Sequence, residues 1–135
     1  MGIRESRRKA EEILEQNSSP SGVIASPEFY RDVWCRDALI TSLGMSCSGN
    51  PKLVKSSESS LKSAASAQKG NGQVPNKFSP DRKKIGFGEG GCVDASLGLP
   101  IALLNHLHWT GNRKLAKRLL PAAEKGVRWA SCLDQ

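Results

Sequence analysis

The sequence predicts an all-α fold in which a leading helix is followed by two helical hairpins. In each hairpin, a helix that is apolar on nearly every side precedes a short Gly-Asn turn and an amphipathic helix. The residues around the two turns also match, since Ser48-Gly49-Asn50-Pro51-Lys52-Leu53 corresponds to Thr110-Gly111-Asn112-Arg113-Lys114-Leu115. Recurrence at a spacing of roughly 55–60 residues is typical of repeated supersecondary units.

Composition places the chain among ordinary globular proteins. Its 135 residues are 38% hydrophobic and 24% charged, with a net charge of +7, which favours neither disorder nor a membrane association. The Lys and Arg residues are scattered and rarely alternate with aromatic residues, so we expect them on solvated helix faces and do not predict nucleic-acid binding. The first residues lack the apolar core of an export signal, and the cytoplasm is therefore the expected location.

The four cysteines, Cys35, Cys47, Cys92 and Cys132, lie far apart in the sequence. They lack the close pairing that a zinc site requires, and buried or free thiols are the expectation. Neither a metal nor an organic cofactor is indicated by the sequence.

The leading helix is predicted over about residues 4–16, which are strong helix formers with a thin apolar stripe. This pattern indicates a helix on the surface. Residues 17–22 are rich in Asn, Ser, Pro and Gly and end the helix. The following segment, Val23 to Pro27, is expected to be extended, and nothing in it requires a sheet.

The first hairpin is predicted over about residues 37–68. We expect Asp37 to be the N-cap of its first helix, because a carboxylate can accept from the free amides of a first turn. That helix, Ala38 to Cys47, is apolar around most of its circumference and should lie inside other helices. Pro51 is predicted at the first position of the second helix, which is amphipathic.

A long loop, residues 69–92, separates the first hairpin from the second, which is predicted over about residues 93–133. Loops of this length in a compact domain are usually functional or disordered. Pro100 and Pro121 should kink the helices of the second hairpin or shift their starts. Its last helix is basic, with an inner apolar stripe formed by Leu115, Leu119, Ala123, Val127 and Ala130.

A candidate site is predicted at the end of the hairpins opposite the two short turns, where the long loop and the starts of both apolar helices must lie. Trp34, Arg36 and Asp37 together supply an aromatic face, a guanidinium and a carboxylate. These are the groups that recognise sugars, because hydroxyls need charged or polar partners and the sugar ring has an apolar side.

Alternatives remain for each candidate residue. Asp37 and Asp94 could serve only as N-caps, and Asn76 could stabilise its own loop instead of reaching a ligand. His106 and His108, two residues apart on a helix, should point in different directions and do not form a chelating pair.

Three segments resemble the six-hairpin glycosidases, specifically the glucoamylase and glycogen-debranching (amylo-alpha-1,6-glucosidase) group: Tyr30 to Met45, Gln73-Val74-Pro75-Asn76 and Val93 to Leu97. The three segments occur in the same order as in that family, and the resemblance covers roughly residues 22–133. It implies part of an (α/α)6 toroid. It implies that Arg36 and Asp37 grip a sugar at its non-reducing end. Trp34 would line the same subsite, and Asn76 and Asp94 complete the substrate-binding residues that we predict.

Two departures from the family pattern limit what the resemblance implies. A tryptophan expected after Asp94-Ala95 is replaced by Gly98 or a neighbour, which removes an aromatic wall. The chain also supplies about two of six hairpins, so residues 1–135 form one partial domain. The family's acid and base come later than any matching residue here. The implied function is therefore a partial glycoside hydrolase domain that binds an alpha-glucan or related oligosaccharide, with no catalytic residue of its own and no activity alone.

Two other interpretations stay open. One is a non-catalytic helical-hairpin module that binds a protein or an acidic polymer through the basic face of residues 113–128. The other is a decayed relative that folds poorly. With two hairpins whose inner faces are apolar, the chain is also expected to seek the rest of a toroid or an oligomeric partner.

Overall fold

The computed structural model describes residues 2–88 and 93–133, and this part of the chain is mostly helical, as predicted. Its helices are α1 (Ile3–Gln16), α2 (Cys35–Cys47), α3 (Pro51–Ser66), α4 (Val93–Thr110) and α5 (Arg113–Ser131). Five strands of two residues each accompany them: β1 (Ser18–Ser19), β2 (Gly22–Val23), β3 (Val33–Trp34), β4 (Lys77–Phe78) and β5 (Ile85–Gly86).

The helices form two hairpins whose first helices lie side by side. α2 packs against α3, α4 packs against α5, and α2 also packs against α4. Arg36 near the start of α2 contacts Asp94 near the start of α4, while Ser46 near the end of α2 contacts His106 in the last turns of α4. The two helices therefore run in the same direction, and both of their N-termini lie at one end of the molecule.

In both hairpins an asparagine side chain caps the second helix. The side-chain oxygen of Asn50 accepts from the amide of Lys52, at 3.0 Å, and that of Asn112 accepts from the amide of Leu115, at 3.1 Å. Each asparagine follows a glycine with a positive φ angle. Pro51 occupies the first position of α3, as predicted. The Gly-Asn turns are thus repeated in structure as well as in sequence.

The start of α2 corrects one prediction. The helix begins at Cys35, with Trp34 at its N-cap, so Asp37 lies inside the first turn and is not the cap. The Cys35 amide donates to the carbonyl of Asn76, at 2.9 Å, which satisfies one free group of the helix start from the long loop. The carboxylate of Asp37 is left to contact Arg36.

Small antiparallel sheets, which the sequence did not predict, hold the segments around the helices. β1 pairs with β2, and β4 lies between β3 and β5, with Val33 opposite Phe78 and Lys77 opposite Gly86. The long loop therefore contains two short strands, β4 and β5. Its last residues, including Cys92, lie outside the described residues. Elsewhere Cys35 is buried, and the thiols of Cys47 and Cys132 are exposed and unoxidised.

Two predictions for the second hairpin need adjustment: the effect of the prolines and the inner apolar stripe of α5. Neither proline displaces a helix start, since α4 runs through Pro100 and α5 runs through Pro121. Leu115, Leu119 and Ala123 are buried in α5 as predicted. Val127 is partly exposed and Gly126 takes the buried position instead, because the backbone of α4 approaches too closely for a side chain there.

The hydrophobic core lies between the two hairpins and under the long loop, with Leu39, Leu61, Phe78 and Leu99 fully enclosed. The expectation that α2 and α4 are covered on all sides is wrong for the described chain. Ile40, Ile101 and Leu104 are each at least 60% exposed, because α3, α5 and the loop cover only one side of the α2–α4 pair.

Candidate functional site

Arg36 joins the two hairpins at the end where α2 and α4 begin. Its Nε donates to Oδ1 of Asp37 at 3.4 Å, and its Nη1 donates to Oδ2 of Asp94 at 3.2 Å. The three side chains are between 49% and 60% exposed. The hydrogen bonds that Arg36 donates, first to Asp37 and then to Asp94, raise the pKa of Arg36 above its usual value, so the guanidinium is permanently charged. The structure thus brings together three of the five predicted site residues.

Among the described residues, Asp94 contacts both its own helix and the first hairpin. Its Oδ1 accepts from the amide of Ala95 at 2.8 Å, while Oδ2 accepts from Arg36. The carboxylate therefore stabilises the first turn of α4 and also contacts the first hairpin. Arg36 and Asp94 meet because the repeat places each of them in the opening turn of an inner helix and those helices are parallel.

A cavity of about 250 Å³ lies between α2 and α4 beside these charges. Arg36 and Asp94 line it together with apolar side chains and the backbone of Gly98. A Cβ atom at Gly98 would meet Leu39 at 3.5 Å, an ordinary contact distance, so the position has room for a small side chain. The described lining contains no aromatic residue. The remaining apolar residues are Leu39, Ile40, Leu43, Leu97 and Ile101.

Trp34 lies in a neighbouring cluster. Its ring packs edge-on against Tyr30, with 6.4 Å between the ring centroids, and the ammonium of Lys77 lies 5.1 Å from its centroid. Lys77 also donates to Asp32 at 2.8 Å. The indole is not among the residues that line the described cavity. Its predicted contact with a sugar beside Arg36 stays a prediction.

Asn76 supports the loop through its backbone. Its carbonyl accepts from Cys35 and its amide donates to the carbonyl of Gly86, at 2.9 Å in both cases. The side chain is half-buried and lies against Gly88, where an added Cβ would be 3.7 Å from Nδ2. The backbone of Asn76 therefore holds the loop, while the two expected roles of its side chain, stabilisation of the loop and contact with a ligand, stay predictions.

A second polar cluster, which the sequence analysis did not single out, lies near the turns. Oγ of Ser46 is 3.0 Å from both Oγ of Ser57 and Nδ1 of His106. Nε2 of His106 is 3.5 Å from Oε1 of Glu58. Burial lowers the pKa of His106, against an opposing effect from Glu58, so the imidazole is neutral at pH 7. We refer to Ser46, Ser57, Glu58 and His106 as the buried cluster.

Glu58 is held by groups from both hairpins. Burial disfavours its charge, but hydrogen bonds from Lys62, at 3.1 Å, and from Asn112, at 2.7 Å, outweigh this and lower its pKa. The buried cluster has the order hydroxyl, imidazole, carboxylate that nucleophilic catalysis uses. However, Ser57 is 0% exposed and His106 is 1% exposed, so no substrate reaches them. The cluster is structural.

The sequence held a weak signal for this cluster. The inner side of α3 carries Ser56, Ser57, Ser60 and Ser63, all buried, where an apolar stripe would be expected. His106 stands in an otherwise apolar helix, and its neighbour His108 is exposed, so the two histidines do point in different directions as predicted. Buried polar groups need partners, and among these serines Ser57 contacts His106 while Ser60 accepts from the amide of Val23.

Within residues 2–88 and 93–133, no group of three or more His, Cys, Asp or Glu side chains could hold a metal ion. No helix in the same ranges is both long enough and apolar enough to span a membrane. Comparisons of the chain with family models, curated proteins and solved structures find no match. The resemblance to six-hairpin glycosidases therefore depends on the quoted residues alone.

Proposed function

We propose that the end of the molecule formed by Arg36, Asp37 and Asp94 binds a carbohydrate, as the sugar-binding part of a glycoside hydrolase acting on alpha-glucans or related oligosaccharides. The observation that carries the proposal is a guanidinium held between carboxylates from two repeated hairpins, beside a cavity with apolar walls. The resemblance to the glucoamylase and glycogen-debranching group, at the same residues, supports it.

The chemistry of the site suits a sugar. Asp37 and Asp94 have oxygen atoms that can accept from hydroxyl groups, and Arg36 can donate to hydroxyl or ring oxygens. The three side chains are about half exposed and can exchange their mutual contacts for contacts with a ligand. The apolar walls of the cavity would lie against the C–H side of a sugar ring.

In this proposal the chain is part of an (α/α)6 toroid in the cytoplasm, and other hairpins supply the catalytic groups. Inverting glycosidases hold an acid and a base roughly 6.5–9.5 Å apart, on either side of the bond that is cleaved. Asp37 and Asp94 instead bind Arg36 from both sides, which suits ligand positioning and not proton transfer. We therefore assign no catalytic residue to the described chain.

The proposal is tested by titrating the protein with maltotriose and following amide chemical shifts. We expect the largest shifts at the starts of α2 and α4, and we expect Arg36→Ala and Asp94→Asn each to weaken binding by about tenfold, the loss typical of a charge-assisted hydrogen bond. Arg118→Ala is the matched control, because Arg118 is an exposed arginine on α5. Unchanged affinity in Arg36→Ala and Asp94→Asn would refute the proposal.

Activity gives a second readout wherever these residues form part of a longer chain. There, Arg36→Ala and Asp37→Ala should reduce hydrolysis of maltooligosaccharides while Arg118→Ala leaves it unchanged. Hydrolysis that is insensitive to all three substitutions would contradict a substrate-binding role.

A non-catalytic binding module is the second candidate, because one face of α5 is strongly basic. The helix carries six Lys or Arg residues and a single acid, Glu124, which pairs with Arg128 at 3.5 Å. Such a face could bind a protein or an acidic polymer. Salt-dependent binding of a polyanion, together with no effect of maltotriose on the melting temperature, would favour this candidate over the sugar site. The six cations are Arg113, Lys114, Lys117, Arg118, Lys125 and Arg128.

A further inference from the structure

An apolar groove of about 370 Å³ runs between α4 and α5, on a different surface from the site of Arg36. Leu104 and Leu120 line it and are 68% and 52% exposed, which is unusual for leucines in the middle of helices. Arg113 and Lys117 also line the groove. An apolar concave surface with cations beside it resembles a binding groove more than an ordinary solvated face.

The internal repeat shows what kind of structure covers such a face. Eight residues before Asn50 lies Ser42, which is 0% exposed, and eight residues before Asn112 lies Leu104. Eight residues after Asn50 lies Glu58, and eight residues after Asn112 lies Leu120. The groove is therefore the second hairpin's counterpart of the face that the first hairpin presents to α4.

In the first hairpin this face is covered by helices. Glu58 contacts His106 in α4 and Asn112 at the start of α5. Ser42 accepts at its carbonyl from Ser46 inside the same interface. The counterpart positions in the second hairpin carry leucines, so the structure that covers them must present apolar side chains. A helix with an apolar stripe has the matching shape and chemistry.

The charges around the groove distinguish between possible occupants. In the described chain, Arg113 and Lys117 form no ion pair, and α5 has six cations against one acid. A second copy docked through the same groove would bring these cations together, and like charges across an interface disfavour association. Acidic residues beside the apolar stripe of the occupant would instead pair with them.

We propose that the groove between α4 and α5 docks an amphipathic α-helix of another protein, with an apolar stripe that contacts Leu104 and Leu120 and with acidic residues that pair with Arg113 and Lys117. The groove is an apolar cavity between two helices, and helix-in-groove recognition uses a hydrophobic groove of this kind. This surface is separate from the sugar site, and the proposal stands whether or not carbohydrate binds there. In the toroid of the proposed function the next hairpin would cover the same face, so the docked helix is the part of a partner protein that takes that place.

The test uses a fluorescein-labelled amphipathic peptide of about five helical turns. The peptide has leucines at positions i, i+4, i+7 and i+11 with glutamates beside them. A twin carries lysine in place of glutamate, and a third peptide has the same composition in permuted order. We expect the glutamate peptide to bind, with the lysine twin at least about tenfold weaker because its charges repel the groove. The permuted peptide should not bind, because its leucines no longer form one stripe.

Variants of the protein test whether the peptide binds in the groove between α4 and α5. Leu104→Ser and Leu120→Ser should each weaken binding of the glutamate peptide by about tenfold, as expected for central apolar anchors, and Arg113→Glu should reverse the preference between the two twins. Ile13→Ser is the matched control, since Ile13 is 57% exposed on α1 and lies outside the groove. Far-UV circular dichroism checks that each variant is folded, which we expect because all these side chains are exposed.

Three results would overturn the proposal. Equal affinity for the glutamate and lysine peptides would show that charge does not select the occupant. Dimerisation that Leu104→Ser abolishes, seen by sedimentation velocity, would make a second copy the occupant. Binding of unstructured polyglutamate as strongly as the amphipathic peptide, with no effect of Leu104→Ser, would show that the basic face recognises a polymer instead.

Discussion

The two hairpins contact each other through polar groups at both ends of α2 and α4, and the two contacts differ in kind. At the start of the helices, Arg36 meets two carboxylates that are about half exposed. Near the turns, His106 and the serines of the buried cluster are neutral and almost fully enclosed. Exposed ion pairs add little to stability, whereas buried polar groups are costly to leave unpaired. The buried end therefore fixes the register of the two hairpins, while the exposed end is available to a ligand.

The largest effect on stability is expected for His106→Ala, at the buried end. The substitution removes an enclosed ring and leaves the hydroxyls of Ser46 and Ser57 without their imidazole partner. We expect a loss of about 3 kcal/mol in the free energy of unfolding, measured by urea denaturation. Arg36→Ala, which disrupts the exposed contact, should leave the denaturation midpoint nearly unchanged. Equal losses in the two variants would show that both contacts are structural.

Two helix glycines, Gly98 and Gly126, differ in how closely they are packed near the start of α4. A Cβ atom at Gly126 would lie 2.8 Å from the carbonyl oxygen of Ser96, whereas one at Gly98 would make only ordinary contacts. We expect Gly126→Ala to destabilise the protein by about 1–3 kcal/mol through overpacking. Gly98→Ala should stabilise it by about 0.5–1 kcal/mol, because glycine is unfavourable inside a helix.

Thermal unfolding of the two glycine variants, run side by side, provides the measurement. They serve as each other's control, since each adds one methyl group to a helix. A stabilising Gly126→Ala would mean that α5 and α4 are not in close backbone contact beside Ser96.

Acid should act on the buried end before it acts on the exposed one. Burial lowers the pKa of His106 in the folded chain below its ordinary value near 6.5, and the ionisable groups that face it are Glu58 and Lys62. The unfolded chain then binds a proton that the folded chain does not. The stability from neutral His106 is therefore present above about pH 6.5 and is lost as the pH falls through the folded pKa.

The measurement is the free energy of unfolding from pH 7 to pH 5. Carboxylates whose pKa is lowered, such as Glu58, Glu11 and Glu15, lose their contributions only below about 4.5 and stay constant in this window. His106→Gln should flatten the pH dependence, while His108→Gln, at an exposed position, should not. An unchanged slope in His106→Gln would exclude His106 as its source.

The smallest expected effect concerns α1. Its polar contacts with the rest of the chain lie at the surface, like those of Arg36 and unlike those of His106. No residue of α1 is buried. Besides an apolar contact of Leu14, polar contacts of Arg7, Glu11 and Glu15 connect α1 to the turn after α2 and to the start of α3. At about 1 M NaCl, where the screening length is near 3 Å, these contacts should weaken. Amide hydrogen exchange in α1 should then accelerate, with no change around His106. Uniform acceleration along the chain would point to global destabilisation instead.

Much of the helical fold could be predicted because its signals are local. A few neighbouring residues contain each of these signals. They are the repeated Gly-Asn turns, Pro51 at the start of α3 and the strong helix-forming residues of α1. The start of α2 was misplaced because its first amide is satisfied by Asn76, more than a full helix away in the sequence. The two-residue strands were not predicted, because they are too short to show a periodicity and their pairing partners can lie far away in the sequence.

The positions of some site residues could also be predicted from local signals, while others depend on contacts between distant segments. The repeat placed Arg36, Asp37 and Asp94 at one end of the chain, and the structure brings them into contact. Trp34 was grouped with them by sequence proximity, but strand pairing of Trp34 with Lys77 places its ring against Lys77 and Tyr30. The buried cluster depends on three helices at once, which sequence patterns within one helix do not reveal.

The pairing of β3 with β4 has a consequence for the order in which the chain folds. Each helical hairpin closes through a turn of a few residues, whereas Val33 must find Phe78 across the whole first hairpin. Closing the longer loop costs more chain entropy, and non-local contacts slow folding. We therefore expect the hairpins to form early and the sheet to close late. The loop segment beside the start of α2, and with it the final shape of the site around Arg36 and Asp94, would be completed only in the last step of folding.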